Sequence, residues 1–133
     1  MKILIVDGQG GKMGAALTRQ FIENFPEDEI ICIGTNSMAT EAMLKAGAKQ
    51  AATGENPVVV CAADADVILG PMGIINANSL LGEITPKMAM AISESHGKKV
   101  LIPVNKCSVS VVGVRDMSLN DYIREAVGIV KNL

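Results

Sequence analysis

KILIVDGQGGKMG, residues 2–14 of the chain, decides the fold. Its first six residues form a nearly continuous aliphatic run, which is typical of a parallel strand covered by helices on both faces. The glycine-rich residues 8–14, hereafter the glycine loop, follow at once. Apolar side chains then recur at helical spacing from Lys12 to Phe25, and Pro26 ends the pattern. The stretch therefore predicts a strand, a tight loop and a helix in direct succession.

The glycines of this loop have distinct predicted roles. Gly8 permits the sharp turn from strand to helix, and Gly14 allows the helix to pack closely on the strand. Gly10 and Gly11 let the backbone approach a phosphate, which the free N–H groups and the dipole of the helix N-terminus attract. The spacing G-x-G-G-x-x-G is the dinucleotide-binding fingerprint with one residue inserted. The alternative is that the glycines serve only the turn and the packing.

A P-loop is the rival interpretation of Gly11-Lys12. That motif requires glycine at position 6 and serine or threonine at position 13, where this chain has Val6 and Met13. Without the hydroxyl the loop lacks its magnesium ligand, which argues against an ATPase.

Strand-like and helix-like segments alternate along the rest of the chain. Five further segments predict strands, at residues 29–33, 49–52, 66–69, 99–104 and 108–114. Four further segments predict helices: up to Ala46 after an Asn36 cap and before Gly47, 58–63 after an Asn56-Pro57 start, 86–97 after a Thr85 cap, and the segment that Ser118 caps. For residues 58–63 a strand is the alternative, because β-branched residues favour it, but the position between two strands favours a short helix. Residues 74–81 are predicted to form a short irregular helix or a loop.

This alternation predicts an α/β fold. We expect a single doubly wound, mostly parallel sheet of the Rossmann-like type, with helices on both faces and one domain over residues 1–133. The predicted strand order is 3-2-1-4-5-6. Because only a short connection precedes the sixth strand, an antiparallel orientation is open for it.

Composition argues against several classes of function. The net charge is −2, no segment gathers lysine or arginine into a stripe, and the aromatic residues are one tyrosine and two phenylalanines. A nucleic-acid partner is therefore not expected. No apolar run approaches the ~20 residues that span a bilayer, and the three cysteines are too scattered for a zinc site or a disulfide framework. We expect a cytoplasmic protein with no membrane partner and no metal.

The end of the second predicted strand lacks the acid that accepts from the ribose of NAD. Thr35, Asn36 and Ser37 lie there instead, and small polar groups at a helix N-terminus can hold a 2′-phosphate. This favours NADP or another phosphate-bearing nucleotide, with plain helix capping as the alternative. The predicted cofactor-binding residues are Gly8, Gln9, Gly10, Gly11, Lys12, Met13, Thr35, Asn36 and Ser37. Asp7 opposes a phosphate unless a cation or a ribose hydroxyl intervenes.

Further polar residues follow the later strands. One group is Asn76, Asn78, Ser79 and Glu83, and another is Asn105 and Lys106. In open parallel sheets, ligands bind beyond the carboxyl ends of the strands. The first group therefore has three interpretations: it lines a pocket, it satisfies backbone groups in an irregular buried loop, or it lies at a subunit interface. The sequence assigns no catalytic residue.

The glycine loop resembles the nucleotide loop of the dihydrodipicolinate reductases, which reads G-x-G-G-R-M-G, with Lys12 in place of the arginine. The resemblance implies that Gly10, Gly11 and the N–H groups of Lys12 and Met13 contact a pyrophosphate. Those reductases carry their substrate and catalytic residues in a second domain, for which this chain has no room. Their hydride transfer is therefore not expected here.

Over nearly its whole length the chain resembles a family of short bacterial proteins of unknown function that are common in anaerobic Firmicutes. The resemblance is carried by residues 7–11, 34–36, 43–48, 52–56, 82–86 and 102–105. It implies that a single-domain form is normal for the family.

Three functions follow from these observations. The first is a nucleotide- or NADP-binding module that acts as a sensor, a partner subunit or a small enzyme completed by homo-oligomerisation. The second is an enzyme that acts on a phosphorylated small metabolite, with chemistry from Asn76, Glu83, Asn105 or Lys106. The third is a ligand-free oligomeric scaffold.

Overall fold

A computed structural model describes residues 1–104 and 108–133. The strands are β1 (Lys2–Asp7), β2 (Glu29–Gly34), β3 (Gln50–Thr53), β4 (Val67–Pro71) and β5 (Lys98–Ile102). The helices are α1 (Lys12–Asn24), α2 (Ser37–Lys45), α3 (Glu55–Ala62), α4 (Pro86–Glu94) and α5 (Leu119–Lys131). A single 3-10 turn, Met72–Ile75, follows β4. Among the described residues no helix is long and apolar enough to cross a membrane.

The five strands form one parallel sheet in the order β3-β2-β1-β4-β5. Strand β1 lies at the centre, where Ile5 is paired with Cys32 of β2 and Leu69 of β4. Its run of aliphatic side chains is buried on both faces, as a central parallel strand requires. The predicted Rossmann-like α/β fold is confirmed.

Helices cover both faces of this sheet. Helices α1, α2 and α5 pack on one face around Leu17, Phe21, Met43 and Val127, and the rings of Phe21 and Phe25 stack with centroids 5.1 Å apart. The opposite face carries α3 and α4. The N-caps predicted at Asn36, Thr85 and Ser118 are confirmed, because each side chain accepts a backbone N–H of its own helix.

The predicted sixth strand is wrong. Residues 108–118 form an irregular loop, in which Val112 is fully exposed and Gly113 has φ +86°. This loop leads from the edge strand β5 to α5 on the other side of the sheet, so its alternating valines find no strand to pair with. Several boundaries also differ: α4 ends at Glu94 instead of Gly97, and β4 runs from Val67 to Pro71. The N-cap of α3 is Gly54 rather than Asn56, and β5 ends at Ile102.

The topology places a crevice above the carboxyl ends of β1 and β4. The chain leaves β1 for α1 on one face and leaves β4 for α4 on the other. Where neighbouring strands send their connections to opposite faces, an open parallel sheet has its ligand-binding position.

Close packing of α1 on β1 requires Gly14. A Cβ at this position would lie 2.7 Å from Asp7 Cβ and 2.8 Å from Met43 Sδ. We expect Gly14→Ala to lower the free energy of unfolding by about 1–3 kcal/mol through overpacking. Gly128→Ala in α5 is the matched control, because its added methyl meets nothing within 4 Å and should stabilise the helix by about 0.5–1 kcal/mol. Urea unfolding of both variants measures the difference, and equal stability would contradict the packing role.

Candidate functional site

A cleft of about 500 Å³ lies above the carboxyl ends of β1 and β4. This volume is within the range of small-molecule sites. The glycine loop forms its floor, and its walls come from the segments that follow β4 and β5 and from the start of α5. The wall residues are Pro71, Gly73, Ser79, Leu80, Leu81, Val104 and Leu119.

The glycine loop is a tight turn that leads directly into α1. The N–H of Gly11 donates to the carbonyl of Gly8 at 3.0 Å, and Gln9 and Gly11 both have left-handed φ angles of 50° and 74°. Only glycine fits at position 11, because a Cβ there would lie 2.6 Å from Ala39 Cα. Gly10 has open space around its missing side chain.

Asp7 lies beneath this loop and is also one of the residues that line the cleft. Its buried carboxylate accepts the N–H of Gly8 at 2.8 Å and the N–H of Gly14 at 2.6 Å. Burial raises the pKa of Asp7 above its usual value, the two hydrogen bonds oppose that rise, and Glu83 adds to it. The carboxylate of Asp7 accepts these two N–H groups and so joins β1 to α1, while the expectation that Asp7 opposes a phosphate stays a prediction.

Three N–H groups of the loop remain available. Within residues 1–104 and 108–133, no hydrogen bond uses the N–H of Gly10, Lys12 or Met13. All three residues line the cleft, and the exposed Lys12 makes no ion pair with a described residue. The cleft therefore offers backbone donors and a cation at the N-terminus of a 13-residue helix.

Glu83 occupies the end of β2. Its Oε1 accepts the N–H of Gln9 at 2.9 Å, the hydroxyl of Thr35 at 2.5 Å and the amide of Asn36 at 2.8 Å. Burial opposes ionisation of this half-buried carboxyl, but the hydrogen bonds from Thr35, Gln9 and Asn36 outweigh it and lower the pKa. Thr35 and Asn36, which the sequence suggests as donors to a 2′-phosphate, therefore donate to a carboxylate of the same chain.

The predicted cofactor-binding residues therefore fall into two groups. Residues 8–13 line the cleft together, whereas Thr35, Asn36 and Ser37 do not line it. Asn36 also caps α2 through Ala39 N–H at 2.9 Å and donates to the carbonyl of Gln9 at 2.9 Å. Ser37 is exposed at the first position of that helix.

Glu83 belongs to a segment that we call the strap, residues 76–84. Asn78, Leu80 and Leu81 all have left-handed φ angles between 55° and 66°, which non-glycine residues adopt at a cost. The strap is held by Asn78 N–H on the Ile84 carbonyl at 2.7 Å and by the Ser79 hydroxyl on the Gly73 carbonyl. The polar residues of this region are visible in the sequence, but the position of Glu83 at the end of β2 depends on the path of the strap and could not be predicted.

Of the remaining polar candidates that the structure describes, Ser79 alone lines the cleft. Ser79 both lines it and satisfies a backbone carbonyl, whereas Asn76 and Asn78 do not line it. Asn105 and Lys106 lie outside the described residues. No group of three or more His, Cys, Asp or Glu side chains within the described part of the chain could hold a metal ion.

Fold and cleft together define a Rossmann-like α/β protein. A family model described as a domain of unknown function, DUF3842, matches residues 2–133, and the chain belongs to that family. Among solved structures it is similar to a dodecameric FMN-dependent UbiX-like decarboxylase from Escherichia coli O157:H7. The TM-score is 0.57 at 15% identity, covering 99% of this chain and 93% of that chain, and this likeness shows the fold alone. None of the curated proteins compared with the chain matches it.

The hydrogen bonds of Glu83 predict a pH-dependent contribution to stability. A carboxyl whose pKa is lower in the folded than in the unfolded chain stabilises the fold above the unfolded pKa of about 4.3, and this stabilisation is lost as the pH falls through the folded pKa. We expect Glu83→Gln to cost about 1–3 kcal/mol at neutral pH, with the difference from the unmodified chain shrinking in acid.

Urea unfolding at neutral and acidic pH measures this effect. Glu27→Gln is the control, because Glu27 is an exposed loop residue with no hydrogen bond or ion pair to a described residue. An equal loss of stability at all pH values in Glu83→Gln would show that the carboxylate charge has no role.

Proposed function

We propose that the cleft binds a phosphate-bearing nucleotide, with the phosphate on the glycine loop. The proposal is carried by the N–H groups of Gly10, Lys12 and Met13, which have no partner among the described residues and line the cleft at the start of α1. Backbone N–H groups and the positive end of a helix dipole attract phosphate. The ammonium group of Lys12 adds a charge of the same sign.

The walls of the cleft are suited to the ring system of such a ligand. Leu80, Leu81, Val104 and Leu119 give them an apolar character, and planar rings bind in clefts of this kind with a few polar groups to orient them. FMN has the required phosphate and ring, and the UbiX-like decarboxylase of similar fold is FMN-dependent. FMN is therefore one candidate ligand.

NADP is disfavoured as the specific ligand. The sequence-based hypothesis assigned its 2′-phosphate to Thr35, Asn36 and Ser37, but Thr35 and Asn36 donate to Glu83. A 2′-phosphate in that place would have to displace a carboxylate or lie beside it. The contacts support a nucleotide whose phosphate uses the glycine loop instead.

Catalysis on a phosphorylated metabolite has less support. Of the four residues to which the sequence analysis assigned chemistry, neither Asn76 nor Glu83 lines the cleft. Binding therefore comes first in the proposal, and the role remains that of a sensor, a partner subunit or a small enzyme completed by other subunits.

Substitution at Gly10 tests the phosphate site. A side chain at Gly10 meets no atom within 4 Å and the residue lacks a left-handed φ, so Gly10→Val should fold and project into the cleft. Gly128→Val in α5 is the matched control, with open space but no place in the cleft. Gly11→Val is unsuitable because of its φ of 74° and its contact with Ala39.

Thermal shift against FMN, AMP, NAD, NADP and coenzyme A gives the readout. A ligand at about 100 times its Kd adds about 2.7 kcal/mol, which is several degrees for a domain of this size. We expect a shift that Gly10→Val abolishes and Gly128→Val retains. Absence of any shift at millimolar ligand would contradict the proposal, and a shift retained in Gly10→Val would move the site elsewhere.

Self-association is part of the proposal. Leu81 at the cleft mouth is 97% exposed and Val112 is 100% exposed, and the UbiX-like decarboxylase of similar fold is dodecameric. We expect more than one copy per particle by size-exclusion chromatography with light scattering. A monomer at micromolar concentration would contradict this expectation.

A further inference from the structure

Glu83 lies where a bound dinucleotide places the ribose of its second nucleotide. In the dinucleotide-binding form of this fold, an acid at the end of β2 accepts from that ribose. We infer that Glu83 and the strap close this position and make the cleft selective for mononucleotides over NAD and NADP. The inference rests on the proposed function, whose phosphate site it shares.

Glu83 reaches the end of β2 from a different segment of the chain than the usual ribose acceptor. The acid of the dinucleotide-binding fold comes from the end of β2 itself, whereas Glu83 is 48 residues beyond Thr35 in the chain and enters from the strap. Its Oε1 already accepts three hydrogen bonds from the glycine loop and the end of β2. A ribose at this position would have to fit beside the side chains of Thr35, Asn36 and Glu83, which these hydrogen bonds already hold together.

The strap also blocks the route from the glycine loop to β2. A Cβ added at Gly8 would lie 2.9 Å from both Glu83 Oε1 and Leu80 Cδ1 of the strap. It would also lie 2.5 Å from Thr35 Oγ1 at the end of β2. Neither Glu83 nor Thr35 lines the cleft. The cleft instead extends towards Pro71 and Gly73 after β4, Val104 after β5 and Leu119 of α5.

The negative charge at the end of β2 also disfavours a second phosphate there. Two carboxylates lie near Gly8. Asp7 accepts the N–H of Gly8, and Glu83 Oε1 would lie 2.9 Å from a Cβ added at Gly8. A 2′-phosphate at the end of β2 would add negative charge beside Glu83, with no cationic side chain hydrogen-bonded there within the part of the chain that the structure describes. NADP should therefore bind more weakly than NAD.

Dissociation constants of FMN, AMP, NAD and NADP for the full chain test the inference. In the unmodified chain, we expect FMN or AMP to bind at least tenfold more tightly than either dinucleotide. Glu83→Ala removes this carboxylate, so the ratio of dinucleotide to mononucleotide dissociation constants should fall at least tenfold. Glu27→Gln, an exposed loop control, should leave that ratio unchanged.

Glu83→Gln is the second variant. It replaces Glu83→Ala in the test if circular dichroism shows that Glu83→Ala is unfolded. Glutamine keeps the shape and an acceptor oxygen but removes the charge, so the ratio of NADP to NAD dissociation constants should fall severalfold. An unchanged ratio in the folded variant overturns the role of Glu83.

The two proposals fail in different ways. Equal or tighter binding of a dinucleotide to the unmodified chain, lost in Gly10→Val, overturns the selectivity and keeps the phosphate site. Absence of binding by all four ligands overturns both.

Discussion

The buried carboxylate of Asp7 is the interaction on which the rest of the site depends. It accepts N–H groups from both ends of the glycine loop, at Gly8 and Gly14, and so fixes the exit of β1 against the first turn of α1. A buried acceptor with two charge-assisted hydrogen bonds defines geometry strongly, because loss of either bond leaves a buried polar group unsatisfied. Burial of the Asp7 carboxylate is unfavourable for its charged form and raises its pKa.

This arrangement divides the donors of the loop. Asp7 uses the N–H groups of Gly8 and Gly14 from inside, and Glu83 uses that of Gln9 from the side of β2. The N–H groups that remain face the cleft at the positive end of the α1 dipole. The two carboxylates therefore leave the donors of the proposed phosphate site on one side of the loop, towards β4 and β5.

Local signals predicted most of the fold. The strand, loop and helix over residues 2–24 and the caps at Asn36, Thr85 and Ser118 depend on neighbours within a few residues, so the sequence carries them directly. The alternating valines of residues 108–114 carry an equally clear local signal for a strand. It was overridden because strand propensity depends on pairing with a neighbour, and residues 108–118 pair with no described strand on their way to α5.

The ligand site could be predicted only in part, for the same reason. The glycine loop is contiguous and was found, whereas the position of Glu83 depends on three residues of the strap in left-handed conformations that no sequence pattern marked. Its contacts with Gln9 and Thr35 join segments 74 and 48 residues apart. The sheet belongs to a fold that hosts many different functions. The carboxylate that the strap brings to the end of β2 is instead a feature of this particular site. The proposed ligand selectivity therefore depends on the strap rather than on the glycine fingerprint.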